Sequence, residues 1–149
     1  MSLTEQIAAD LITSMKSKDK VALEAVRAAK TAFIIARSDK GANSVLTEEE
    51  ELKIIQKLVK QRRESAEIYT EQNRPDLAEK ETAEADVLER YLPARMSEEE
   101  IISVLKNIIG RLGASSPADM GKVMGVATKE LAGRADGKEI SAKVKMLLS

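Results

Sequence analysis

The stretch Ser97-Glu98-Glu99-Glu100-Ile101-Ile102-Ser103-Val104-Leu105-Lys106-Asn107-Ile108-Ile109-Gly110-Arg111-Leu112-Gly113 decides the fold class. Ile101, Ile102, Leu105, Ile108, Ile109 and Leu112 recur at the period of an α-helix and form one apolar stripe. Ser97 before three carboxylates reads as a helix start, because its hydroxyl can accept a backbone N–H of the first turn. Acids there also suit the positive end of the helix dipole. Gly113 closes the stripe. Met120, Val123, Met124, Ala127 and Leu131 make a second stripe closed by Gly133, and Ile140, Val144, Leu147 and Leu148 a third. Helices of about a dozen residues are marginal alone, so these three must bury their faces against one another.

The same signals extend toward the N-terminus. Ser2-Leu3-Thr4-Glu5, Thr47-Glu48-Glu49-Glu50, Ser116-Pro117-Ala118-Asp119 and Asp136-Gly137-Lys138-Glu139 all read as helix starts. Leu3, Ile7, Leu11 and Met15 define a first helix. A second follows Asp19, with Leu23, Val26 and Phe33 among alanines, and is expected to stop before a polar loop from Ser38 to Ser44. A third runs from about Glu48 to Gln72, roughly 37 Å at 1.5 Å per residue. It begins with Leu52, Ile55, Leu58 and Val59 and turns polar at Lys60-Gln61-Arg62-Arg63-Glu64. Asn73-Arg74-Pro75 ends it, since a residue before proline disfavours the helical region. A fourth carries Leu77, Ala78, Ala85 and Leu88 to Tyr91, where Leu92-Pro93 breaks it, and residues 93–96 read as a linker. The expected architecture is all-α: an N-terminal bundle of about four helices over residues 1–93, then a three-helix C-terminal domain over residues 97–149.

Composition agrees. Hydrophobic residues make up 43% of the 149, enough for a core. Aromatics make up 2% (Phe33, Tyr69 and Tyr91), which argues against sandwiches and barrels. The chain has no Cys, hence no disulfide, thiolate nucleophile or redox motif, and no His, the commonest general base near neutral pH. No catalytic constellation, metal site or cofactor is expected. No apolar run is long enough to span a membrane, and the N-terminus lacks a basic region followed by an apolar stretch, so the expectation is a cytoplasmic protein with no membrane partner.

The net charge of −1 is unevenly spread. Residues 1–96 hold 16 basic and 18 acidic groups, whereas from Ile101 onward 8 basic groups face 4 acids, a local excess of +4. Three constellations stand out. Lys60, Arg62, Arg63 and Arg74, with Ser65, Tyr69, Asp76, Glu81 and Glu84, place many charges on two consecutive helices. They read as i,i+4 pairs such as Lys60–Glu64 and Arg63–Glu67, as a polar network locking the hairpin, as a phosphate site of Lys60, Arg62, Arg63 and Arg74, or, least well supported, as an enzymatic carboxylate pair of Glu81 and Glu84. Asp119-Met120-Gly121-Lys122-Val123-Met124-Gly125 puts two glycines inside a helix, at about 1 kcal/mol each relative to Ala. Either another helix packs closely there, or a thinned surface beside Lys122 admits an RNA backbone. Gly133-Arg134-Ala135-Asp136-Gly137-Lys138 is a tight turn. It reads as a capped turn with ordinary surface charges, or as an anion site formed by free amides at the last helix start beside Arg134 and Lys138.

Taken in order, Arg27, Lys60-Gln61-Arg62, Ser65, Tyr69, Arg74, Asp76-Leu77, Glu81, Glu84, Tyr91-Leu92-Pro93, Asp119 to Gly125 and Gly133 to Gly137 resemble the YqeY-like family over nearly the whole chain. The tail from Met120 through Leu148 is also similar to the C-terminal domain of the aspartyl/glutamyl-tRNA amidotransferase B subunit. The resemblance implies a two-part helical fold and a link to tRNA, since that tail domain contacts tRNA and related modules occur attached to a glutaminyl-tRNA synthetase. The amidotransferase's phosphorylating domain and glutamine-hydrolysing partner have no counterpart in these residues.

The functional expectation is a non-catalytic tRNA-binding accessory module. Its candidate RNA contacts are Lys122, Arg134, Lys138, Lys143 and Lys145, then Arg62, Arg63 and Arg74, with Gly121, Gly125, Gly133 and Gly137 as points of close approach. An aminoacyl-tRNA synthetase or amidotransferase component is the expected protein partner. Rival readings are a protein–protein adaptor of the translation machinery, and an amidotransferase-like component acting as a carbon–nitrogen ligase with glutamine as amido-N donor. A pI of about 5.7 is low for a strong RNA binder. Neutralising about three phosphates would give a log affinity against log salt slope of about −2 to −3. Scarce aromatics argue against stacking on single strands and for recognition of RNA shape through its backbone.

Overall fold

The helix starts are made by the side chains that signal them. In the computed structural model, which describes residues 1–149, the Ser2 hydroxyl accepts the Glu5 N–H at 3.1 Å while the Glu5 carboxylate accepts the Ser2 N–H at 3.0 Å. Thr47 and Glu50 repeat the exchange at 3.2 and 2.9 Å. Asp19 accepts from Ala22 N–H and Ser97 from Glu100 N–H. Each such cap is worth about 1 kcal/mol. Seven α-helices result, with one 3-10 turn and no strand: α1 (Leu3–Ser17), α2 (Lys20–Lys40), α3 (Glu48–Glu71), α4 (Pro75–Glu89), α5 (Glu98–Leu112), α6 (Met120–Glu130) and α7 (Gly137–Leu148). The fold is all-α, and the chain divides into two compact units, Met1–Leu92 and Pro93–Ser149.

In the first unit α1, α2, α3 and α4 enclose Ile7, Ala25, Val26, Ala29, Phe33, Ile55, Val59, Ala85 and Leu88. Burying one large aliphatic contributes about 1.5–3 kcal/mol. The alanines let the helices approach closely. Helix α2 does not stop before Ser38. It continues to Lys40 and ends at Gly41, whose φ of +142° breaks the helical path. Ser38, Asp39 and Lys40 are polar but none is a helix breaker, so the helix runs on to the first residue that is. Asn73, at φ +61°, turns the chain between α3 and α4, and Pro75 takes the first position of α4, where its missing N–H costs nothing. Helix α4 ends at Glu89, short of Tyr91.

Two partly buried polar contacts tie α1 down. Glu51, 3% exposed, accepts from the Thr4 N–H at 2.7 Å and the Thr4 hydroxyl at 2.6 Å, capping α1 from α3. Tyr91 donates its hydroxyl to Asp10, and burial together with that carboxylate pushes the phenol well above its ordinary range.

The second unit buries Ile101, Leu105, Ile108, Val123, Ala127, Leu131, Ala135, Ile140, Val144 and Leu148, drawn from all three stripes. Gly113 caps α5 at φ 64°, as a C-terminal helix stop requires, whereas α6 already ends at Glu130 with Leu131 as its cap, and Gly133, at φ 76°, bends the turn that follows. Ser116-Pro117 opens a 3-10 turn, Pro117–Asp119, which leads into α6 at Met120. Met96 is more than linker: it packs against this core and its N–H donates to the Arg134 carbonyl at 3.4 Å.

Candidate nucleic-acid interface

Helix α6 turns Val123 and Ala127 into the core of the second unit. At 100° per residue, its outer face therefore carries Gly121 and Gly125, flanked by Lys122 and Lys129, and all four are exposed. A Cβ at Gly121 or Gly125 would meet no atom within 4 Å, and neither glycine has positive φ. Close packing within this unit therefore does not account for them. Nor does backbone conformation. The helix presents a strip of bare backbone with a cation two turns from another along one side. Lys129 is absent from the sequence-based set, although its i+7 spacing from Lys122 puts it on the same face.

Asp119 lies at the foot of this strip. Its carboxylate accepts from the Ser115 N–H at 3.0 Å and the Ser116 N–H at 3.4 Å, and these contacts hold it below the usual carboxylate range, with a smaller contribution from Lys122. Lys122 makes no ion pair; its ammonium reaches the Leu112 carbonyl at 3.5 Å.

Around the following turn, Arg134 is exposed and its side chain has no acceptor, while its backbone carbonyl holds Met96. Lys138 and Lys145 are seven residues apart on the exposed face of α7. The start of α7 is not a vacant anion site, because Asp136 already accepts the Lys138 N–H at 3.3 Å. Gly137 is exposed and Gly133 is buried at the turn. Lys143 differs from the other tail cations. Its side chain is only 13% exposed and pairs with Glu139 at 3.4 Å and Glu98 at 3.7 Å, joining α7 to the start of α5.

The candidate cations Arg62, Arg63 and Arg74 are likewise engaged within the first unit. Arg63 bridges to Asp86 at 2.9 Å and to Glu89, so it ties α3 to α4 and both contacts raise its pKa. Arg74 pairs with its near neighbour Asp76 at 3.2 Å. Arg62 donates to the Leu58 carbonyl, and its Nε is buried without an acceptor. It faces Glu84, 7% exposed, whose carboxyl is pushed upward because burial outweighs the pull of Arg62. Of the eight sequence-based cations, Lys122, Arg134, Lys138 and Lys145 thus remain exposed without a carboxylate partner. No group of three or more His, Cys, Asp or Glu is placed so that it could hold a metal ion.

The geometry defines a small two-unit helical protein with a glycine-thinned, lysine-flanked helix in its second unit. Residues 4–148 match the model of the Yqey-like protein family, and the chain belongs to that family. It is 34% identical over 143 residues to a Pyrenophora tritici-repentis protein called "Altered inheritance of mitochondria protein 41, mitochondrial", covering 93% of this chain and 77% of that one. Relatives of the same description from Clavispora lusitaniae and Meyerozyma guilliermondii are 30% and 40% identical. The matches cover 76% and 56% of this chain, and 66% and 42% of theirs. Those names place the relatives in mitochondria. In this chain no helix is long and apolar enough to cross a membrane.

Proposed function

We propose that this protein is a cytoplasmic tRNA-binding accessory module without catalysis of its own, and that α6 of the second unit forms the contact. The supporting observation is the open strip of Gly121 and Gly125 beside exposed lysines. Glycine in a helix costs about 1 kcal/mol relative to Ala. Here no internal packing offsets that cost, so the benefit lies outside the unit. A phosphodiester backbone can approach bare helix backbone more closely than one bearing side chains, and Lys122 and Lys129 stand where they neutralise it. Arg134, Lys138 and Lys145 add charge from the adjoining turn and α7. The resemblance of this tail to the tRNA-contacting domain of the amidotransferase B subunit supports tRNA as the RNA. A synthetase or amidotransferase component is the partner whose grip on tRNA such a module would reinforce.

Salt-titrated binding of the full chain to tRNA and to duplex DNA of equal charge tests this. The expected result is preference for tRNA at low salt, with this face contributing about −2 to −3 to the slope, the loss of about three counterions. Equal, negligible affinity for both would end the proposal.

The second reading, an adaptor that docks a helical protein, draws on the same strip, since glycines four apart also admit another helix. The exposed Met146 offers it an adaptable contact. Pull-down after nuclease treatment separates the two: an adaptor keeps its partner and an RNA tether loses it.

A further inference from the structure

The densest uncompensated positive charge lies in the first unit. Between Lys16 and Arg37 the chain carries Lys16, Lys18, Lys20, Arg27, Lys30 and Arg37 against only Asp19 and Glu24, a net +4 within 22 residues of a chain whose net charge is −1. Both acids are engaged: Asp19 caps α2 through the Ala22 N–H, and Glu24 pairs with Lys80 of α4 at 3.2 Å. All six cations are exposed and none forms an ion pair. On α2 the buried side is Ala25, Val26, Ala29 and Phe33; Lys20 and Arg27 lie opposite it and Lys30 and Arg37 follow along one flank, so the four exposed cations fall within an arc of about 100°. They span about 25 Å of helix at 1.5 Å per residue. Arg27 heads the set of residues that carries the family resemblance, yet it neither packs nor pairs.

We propose that this outer face of α2, with the lysines of the preceding turn, is a second RNA-backbone contact. The inference rests on the RNA reading for the class of ligand but on different residues. Charge complementarity selects the occupant. Aligned cations without carboxylate partners release counterions when they meet phosphates, whereas cations already paired gain little. An anionic lipid surface fits less well, because between Lys16 and Phe33 no large apolar side chain is exposed, and the exposed Ile12, Met15, Ile34 and Ile35 lie toward the two ends of the stretch.

The test uses the full chain with Arg27→Gln/Lys30→Gln/Arg37→Gln, since Gln keeps helix propensity. Helix content and melting confirm folding. Lys53→Gln serves as control, because Lys53 is paired with Glu49. In salt-titrated tRNA binding the triple variant should flatten the slope by about 2–3, close to one per lost phosphate contact, and the control should leave it unchanged. Lys122→Gln/Lys129→Gln is measured in parallel. A loss in that variant with none in the triple variant overturns the α2 contact and leaves the α6 reading standing. The converse supports α2 and removes α6. Absence of RNA binding by the unaltered chain overturns both. Binding to vesicles of anionic lipid that the triple variant loses, with RNA affinity unchanged, overturns the choice of RNA.

Discussion

Replacing Gly121 and Gly125 by Ala should make the protein more stable and a poorer RNA binder. Gly125 sits mid-helix with open space where its Cβ would stand, so Ala introduces no clash and reduces the backbone entropy lost on folding. The gain is about 0.8–1 kcal/mol. Gly121 lies in the first turn, where hydrogen bonding is incomplete, and its gain is smaller. For a unit of this size about 1 kcal/mol raises Tm by about 4–8 °C. Thermal melting followed by helix signal reads the shift, and hydrogen exchange at α6 amides assigns it to the second unit. A methyl held between helix and phosphate should cost about 1 kcal/mol of binding or more, a loss of about fivefold to tenfold in tRNA affinity at fixed low salt. The opposite signs make the test sharp, because a merely damaged fold loses both properties together. Stabilisation with unchanged tRNA affinity would refute the contact. No stabilisation would refute the claim that nothing packs on the strip.

Three further expectations concern the first unit. Glu84→Gln should stabilise it at neutral pH, since burial raises the Glu84 pKa above its ordinary 4.5. An acid raised in the folded state costs stability as pH climbs from 4.5 through the folded value, so the advantage of Gln should vanish below about pH 4 in denaturation series; an advantage independent of pH would contradict this. Glu51→Gln should destabilise by about 1–2 kcal/mol, because the charged acceptor of two Thr4 donors becomes neutral, and urea midpoints will show it. Arg63→Gln should cost about 1 kcal/mol or less, its two acids being half exposed, and should leave tRNA affinity unchanged, since Arg63 is held by α4.

Helix by helix, the architecture is legible because local rules and burial point the same way. Ser2, Thr47 and Ser97 signal starts that the backbone makes, and the stripes from Ile101 to Leu148 become one core. The misreading at Ser38 shows where such rules fail. A polar run suggests a loop, but polarity on an exposed face is compatible with helix, and only Gly41 supplies a conformation that ends it. The site is less legible, because ion pairing crosses helices. Arg63 finds acids 23 and 26 residues away, and Lys143 finds Glu98 across the second unit. Spacing along one helix cannot signal either.

The glycine strip and the α2 face illustrate two different losses of information. Two glycines in a helical pattern are visible in the sequence, but whether they are filled by a neighbour is a property of three dimensions. Here they are open. The α2 charges were visible too, and averaging concealed them: residues 1–96 sum to −2 because the acids of α3 and α4 offset the excess between Lys16 and Arg37. An electrostatic sum over a domain describes solubility, whereas a polyanion feels charges within about 10 Å at 0.1 M salt. At that range the relevant quantity is which carboxylates are already committed. Glu24 is held by Lys80 and Asp19 caps its own helix, so the cations beside them are left to face outward.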